Sequence, residues 1–231
     1  MNAHPADTLN EKYHDASALD IVQVAIRDLF PSRIAAVSSF GAESAVLLHL
    51  IAQTDRQTPV LFLDTLKHFD ETLAHRDRLI KRLRLEDVRT IQPIASELIA
   101  RDPDGMMWSR DADGCCDLRK TRPLAQAVMR FTALFTGRKR HHGHGRATLG
   151  YFEKDGPRIK VNPLVQWRAD EIYAYLDRHG LPRHPLTEKG YPSIGCAVCT
   201  SPVRPGEDVR AGRWRGTSKT ECGIHESSKA G

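Results

Sequence analysis

Residues 33–53 read RIAAVSSFGAESAVLLHLIAQ. The stretch is apolar over Ile34–Val37, small and polar over Ser38–Glu43, and apolar again to about Gln53. It predicts a short strand, a tight loop and a helix. Such a loop turns free backbone N–H groups and the positive end of the helix dipole toward one point, which suits an anion. Ser38, Ser39 and Ser44 add hydroxyls, and Gly41 permits close backbone approach. An ordinary strand–helix turn has the same composition, so the next strand has to decide. PVLFLDT, residues 59–65, is a continuous apolar run of the kind buried on both faces of a parallel sheet. Its end places Asp64 and Thr65 beside the first loop, at strand C-termini where open α/β sheets bind ligands.

Working outward, FDETLAHRDRLIKRLRL (69–85) is an amphipathic helix and VRTIQP (88–93) a third strand. Strand–helix alternation at this spacing predicts an α/β fold with a parallel sheet. Upstream, LDIVQVAIRDLF (19–30) is a helix stopped by Pro31, and residues 1–17 read as a loose leader. Downstream, RDPDGMMWSRDADG (101–114) is loop-like, and CDLRKTRPLAQAVMR (116–130) is a helix interrupted near Pro123. FTALFTG (131–137) is a fourth strand leading into the basic run RKRHHGHGR (138–146). RIKVNPL (158–164) is extended, and ADEIYAYLDRHG (169–180) is a helix that Gly180 ends. Residues 18–199 are therefore expected to form the α/β domain. From Thr200 no periodicity remains, so residues 200–231 are expected to form a flexible tail.

The chain has 231 residues and a formal charge of +5, which favours anionic partners. No apolar run approaches the roughly 18 residues of a membrane span. The polar start MNAHPADTLNEKYHDAS lacks a signal-peptide pattern, so a cytoplasmic protein with reduced cysteines is expected. Its five cysteines are an odd number, which favours metal binding or catalysis over a disulfide framework.

Four cysteines come in pairs, Cys115–Cys116 and Cys196-x-x-Cys199, and Cys222 stands alone. Two cysteine pairs at long range signal zinc or an iron–sulfur cluster. Adjacent helical residues point about 100° apart, which hinders convergence on one zinc ion and suits a larger cluster better. Zinc remains the competitor at this point.

Two resemblances extend this reading. SSFGAES with FLDT resembles the pyrophosphate-loop, adenine-nucleotide α-hydrolase-like fold, a Rossmann-like parallel sheet. Its ATP-splitting members carry SGGxDS, where this chain has Phe40 and Glu43. The missing glycine is expected to crowd a pyrophosphate while leaving room for an adenine nucleotide. In addition, CCDLRK…PL, TGRKR, KVNPL, YPSIGCAVCT, GRW and KTECGIH occur in that order. Over residues 34–226 the chain resembles the assimilatory adenylyl-sulfate (APS) reductases, which are thioredoxin-dependent and carry a [4Fe–4S] cluster. The related PAPS reductases keep the terminal cysteine and generally lack the two pairs, although some cluster-bearing members accept both substrates.

The resemblance implies that Cys115, Cys116, Cys196 and Cys199 hold the cluster. Cys222 would attack the sulfur of APS, AMP would leave, and thioredoxin would release sulfite from the resulting S-sulfocysteine. It also implies a catalytic Lys120 near the transferring sulfate and a supporting His225. Gly137 and Arg138 at a strand end, with Arg210 and Arg213 on the tail, complete the anion-binding set with Ser38, Ser39, Phe40, Gly41, Glu43, Ser44, Asp64 and Thr65. No membrane or nucleic-acid partner is expected, and a homo-oligomer is compatible. Leu66, His141, His142 and Gly143 depart from the family pattern. The rival readings are a PAPS or dual-substrate reductase, an iron–sulfur tRNA-thiolating ligase, and a zinc-bearing nucleic-acid-binding module.

Overall fold

A computed structural model describes residues 4–140 and 146–224. The strands are β1 (Ile34–Ser38), β2 (Val60–Leu63), β3 (Val88–Ile91), β4 (Ala133–Phe135), β5 (Phe152–Asp155) and β6 (Arg158–Val161). They form a six-stranded sheet in the order β3-β2-β1-β4-β6-β5. Every pairing is parallel except β5 with β6. The helices, in chain order, are α1 (Pro5–Lys12), α2 (Ala18–Val24), α3 (Ser44–Thr54), α4 (Asp70–Leu83), α5 (Ala95–Arg101), α6 (Met107–Arg110), α7 (Ala112–Cys116), α8 (Arg122–Ala127) and α9 (Ala169–Arg178).

The central strands are the apolar runs of the sequence: β2 and β4 are buried at every residue. Phe40, Phe62, Phe135 and Phe152 are among the largest fully buried side chains. Chain direction across the sheet reverses between β1 and β4, and the loops leaving these two strands splay apart. That switch point is where open parallel sheets form a ligand crevice.

The structure differs from the sequence expectations in five places, one being that residues 101–114, read as loop-like, contain α6 and the start of α7. The segment read as a loose leader contains α1, which docks on β5. Asn10 donates to the Phe152 carbonyl at 2.7 Å and accepts from the Phe152 N–H at 2.9 Å, satisfying the exposed strand edge. Strand β5 itself carries no apolar alternation. It forms through a two-residue Gly156–Pro157 hairpin with Gly156 at φ +59°, where glycine avoids strain. Helix α5 buries none of its residues, and so shows no core-facing stripe. The expected interruption near Pro123 is a π-helical turn, Asp117–Thr121, placed just ahead of it. The Arg122 N–H reaches back to the Asp117 carbonyl, and Pro123 has no N–H to continue an α-helical ladder. Gly180 ends α9 in the left-handed region at φ +56°, as the sequence indicates.

Two fully buried histidines join α4 to the segment after α9. The rings of His75 and His184 lie 4.9 Å apart. His184 accepts from the Leu186 N–H at 3.2 Å and donates to Thr72 Oγ1 at 3.0 Å, while neither nitrogen of His75 has a partner. Burial lowers both to about 4, with His184 also lowering His75. A depressed histidine pKa means that the unfolded chain binds more protons between 6.5 and about 4. Stability is then fully present above pH 6.5 and is lost as pH falls through this window. We expect His75→Leu to flatten the dependence of unfolding free energy on pH between 6.5 and 4 by about 1.4 kcal/mol per pH unit at most, and the melting-temperature profile with it. Thermal melts across that range, compared with the parent, check this.

Candidate active site

A cavity of about 330 Å³ opens at the C-terminal ends of β1 and β4. One end is apolar, with Leu47, Leu48 and Ala169 beside Tyr173. The other end is cationic, walled by Lys120, Arg138, Arg146, Arg210 and Arg213. The β1–α3 loop floors the space between them through Ser38, Ser39, Gly41, Glu43 and Ser44. Gly137 and Thr65 also line the cavity.

The loop is held by its own hydroxyls. Ser38 Oγ accepts from the Phe40 N–H at 3.1 Å, and Ser44 Oγ donates to the Gly41 carbonyl at 2.8 Å. Two expected binding residues lie elsewhere. Phe40 takes φ +49° and turns its ring entirely into the core, edge-on to Phe62 at 5.6 Å. The ring therefore crowds nothing in the cavity, because the left-handed backbone sends it to the opposite side. Asp64 is also outside the cavity wall; it accepts from the Leu66 N–H at 3.0 Å and from Gln92 Nε2 at 2.9 Å. Leu66, the departure from glycine, sits at φ +59° with half its surface exposed.

Most cavity cations already have carboxylate partners. Lys139 reaches Glu43 at 2.7 Å, Arg138 pairs with Glu153, and Glu221 bridges Arg146 and Arg210, the latter at 3.3 Å. Lys120 and Arg213 make no carboxylate ion pair among the described residues. Burial pulls Arg138 below its ordinary value; Glu153 opposes this and Arg146 adds to it. Burial likewise lowers Arg210, with Glu221 opposing and Arg146 and Arg213 adding. Cations held out of water beside one another form a site that an added anion would stabilise.

The paired cysteines meet behind Lys120. Helix α7 carries Cys115 and Cys116, both buried, and the π-helical turn brings Lys120 round toward them. The Cys196–Cys199 turn docks on the β2–α4 loop. Ala197 N–H donates to the Lys67 carbonyl at 2.7 Å, and Thr65 Oγ1 lies 3.2 Å from Cys196 Sγ. A buried pair fastens the two pieces together: Arg119 donates to Asp102 at 2.5 Å and to the Thr65 carbonyl at 3.0 Å. Burial pushes Cys116 up to about 11 and raises Cys115 and Cys199, and neighbouring cysteines add to each rise. Burial alone would lower Lys120, yet Cys196, Cys222 and Cys116 together carry it upward.

Among the described residues, no three His, Cys, Asp or Glu side chains gather tightly enough for a single metal ion. A [4Fe–4S] cube presents its irons at separate corners, so its thiolates stand apart. Cys115, Cys116, Cys196 and Cys199 are free and lie among one another's charge neighbours, which fits such a group in donor type and number.

The tail folds over this arrangement. Thr200 bridges to Arg213, and the Trp214 N–H donates to the Cys199 carbonyl at 3.0 Å. Arg213 lies close over Gly195, so a Cβ there would meet its guanidinium at 2.2 Å and displace it. Arg210 donates to the Thr220 carbonyl at 2.8 Å, and Lys219 pairs with Asp113. Cys222 then lines the cavity with Lys120, Arg213 and Ser39. His225, His141, His142 and Gly143 lie outside the described residues.

Sequence reasoning missed Arg146, Lys139, Glu221 and His68 as cavity residues. Arg146 closes the basic run and Glu221 adjoins Cys222, but ion pairs across 75 residues leave no local signal. His68 stacks on Phe62 at 5.0 Å and bonds the Leu63 carbonyl at 2.9 Å, roles that depend on the folded loop.

Residues 33–202 match the phosphoadenosine phosphosulfate reductase domain. An adenosine 5′-phosphosulfate reductase of Mesorhizobium japonicum is 50% identical over 225 residues, covering 97% of this chain and 89% of that protein. One from Chelativorans sp. is 49% identical, covering 94% and 89%. Among solved structures, a phosphoadenylyl-sulfate (PAPS) reductase from Candida auris, in a phosphate complex, superposes with a TM-score of 0.74 at 25% identity, covering 88% and 99%. With the domain matched over residues 33–202 and relatives at 50% and 49% identity over nearly the whole chain, the chain belongs to the phosphoadenosine phosphosulfate reductase family.

Proposed function

We propose that this chain reduces adenosine 5′-phosphosulfate to sulfite and AMP, as an oxidoreductase of sulfate assimilation working in the cytoplasm. The observation that carries the reading is that Cys222 shares one cavity with Lys120, Arg213 and the Ser38–Glu43 loop. The apolar end suits the adenine and the loop hydroxyls suit the ribose. The phosphosulfate then reaches the cationic end, where Lys120 and Arg213 are without carboxylate partners among the described residues.

In the first step the Cys222 thiolate attacks the sulfur of the sulfate group. A new S–S bond forms, the bond from sulfur to the bridging oxygen breaks, and AMP leaves with the electron pair. Lys120 and Arg213 offset the charge that develops on the departing phosphate. In the second step a dithiol reductant of the thioredoxin class attacks Cys222 Sγ and sulfite leaves. Its second thiol then resolves the mixed disulfide, so that the dithiol supplies both electrons and Cys222 returns as thiolate. Splitting the reaction this way replaces one difficult displacement with two easier ones.

Cys115, Cys116, Cys196 and Cys199 would hold a [4Fe–4S] cluster, which would add polarising charge behind Lys120. Lys120 would then stand between that group and the substrate. The residues lining the anion end would orient the phosphosulfate.

Anaerobic assay of sulfite release from APS and PAPS side by side, with thioredoxin as reductant, tests the reading. We expect kcat/KM for APS to exceed that for PAPS by at least about tenfold, the order set by one unpartnered additional phosphate. Equal or reversed ratios would favour a dual or PAPS-directed enzyme. Loss of sulfite release from both, with tRNA-stimulated AMP formation from ATP, would replace the reading by a ligase.

A further inference from the structure

Three consecutive environments meet around the tail cysteine. On one side, the Glu221 carboxylate spans Arg146 and Arg210 within the cavity wall. On the other, Ile224, which also lines the cavity, packs half-buried against an apolar cluster that includes Leu61, Leu63, Leu124 and Val128. Between them Gly223 takes φ +83° and lies against the α8 entrance, where a Cβ would stand 3.5 Å from Thr121 Oγ1. Only a glycine makes this reversal without strain. It lets Cys222 lie near Lys120 while Ile224, two residues on, reaches the apolar cluster.

We propose that Glu221 and Ile224 form a two-sided clasp that positions Cys222 for attack, with Ile224 as the anchor that decides whether the thiol is docked or exposed. The inference deepens the proposed reaction and rests on Cys222 being its nucleophile. Ile224 touches no reacting atom in this scheme, so it is a positioning residue. The rest of the tail is fastened independently, through Thr200–Arg213 pairing and the Trp214–Cys199 hydrogen bond. Loosening Ile224 therefore frees residues near Cys222 and leaves Arg210 and Arg213 in the cavity. The clasp also supplies the means of exchange. The thiol must face the substrate for the first step and a protein reductant for the second, and one apolar side chain leaving its cluster allows both.

The test is carbamidomethylation of the iron-loaded, full-length protein with iodoacetamide, with the labelled cysteine mapped by mass spectrometry. Ile224→Ser introduces no charge near the thiol. It is expected to label at Cys222 at least about tenfold faster than the parent, the factor for exposing a largely apolar side chain. Ile224→Leu restores the apolar volume and is expected to restore slow labelling. With APS, Ile224→Ser is expected to lose kcat about tenfold, as the docked fraction falls, with KM changed less than about twofold. Parent-like labelling of Ile224→Ser, or equally fast labelling of Ile224→Leu, would overturn the clasp. Iron content and thermal melts confirm that each variant is folded. The labelling needs no substrate. Fast labelling of Ile224→Ser in a protein that releases no sulfite from APS would retain the clasp and reject the substrate reading.

Discussion

Cys222→Ser will bind AMP and retain its iron, yet release sulfite from APS at least about 10³-fold more slowly than the parent. A serine hydroxyl is scarcely ionised at neutral pH and is a far weaker nucleophile than a thiolate. Any sulfate ester that it formed would also lack the sulfur atom that a dithiol must attack. Because Cys222 contributes only a side chain at the cavity mouth, its replacement leaves the Ser38–Glu43 loop and the arginines in place. Calorimetric titration with AMP and a sulfite assay separate these effects. Incubation of the parent with APS alone should add one sulfonate to the Cys222 peptide, and the serine variant should show none. Undiminished sulfite production by the variant would eliminate the covalent route. A chain ending before Cys222 is expected to behave like the variant.

Cys116→Ala will fail in a different way. Loss of one of four thiolates is expected to destabilise the cluster, because the buried Cys116 position would offer an alanine in place of a ligand. Cys116 is buried, and its charge neighbours include Lys120, Lys219, Cys222 and Cys196. Iron should fall from about four atoms per chain to less than one, the brown colour should disappear, and sulfite release should drop to background. Iron and acid-labile sulfide analysis of anaerobically prepared protein measures the first effect. Intact iron and sulfide in Cys116→Ala would remove this cysteine from the ligand set, and zinc in place of iron in the parent would replace the cluster reading. The two variants together separate the cysteine that reacts from those that hold: one loses sulfite with iron present, the other loses both.

Much of the sheet was legible because its strands carry their own burial. IAAV and VLFL are apolar without alternation, which is the mark of strands covered on both faces. Ser38–Glu43 announced a loop by its small residues. The elements that escaped have no such local mark. Helix α5 buries nothing, and β5 owes its existence to a glycine–proline hairpin and to Asn10, which lies 142 residues away in the chain. The same holds within the site. The cysteine pairs, Lys120 and the tail arginines were visible as motifs, whereas Phe40 and Asp64 were misplaced. The direction of a side chain from a loop depends on φ, and no composition rule reports that Phe40 sits at +49°.

What the sequence determined by itself was therefore the chemistry available: an anion-binding strand–loop–helix, four paired thiols, and a fifth set apart. Residue type and short-range spacing carry that information because backbone geometry and ligand preference act over a few residues. Only the tertiary structure decided which groups meet. It brought Lys120 between Cys116, Cys196 and Cys222, committed Glu221 to Arg146 and Arg210, and packed Ile224 against the cluster of Leu61, Leu63, Leu124 and Val128. Those contacts join distant parts of the chain, and they form because burial and charge pairing are satisfied across the fold as a whole.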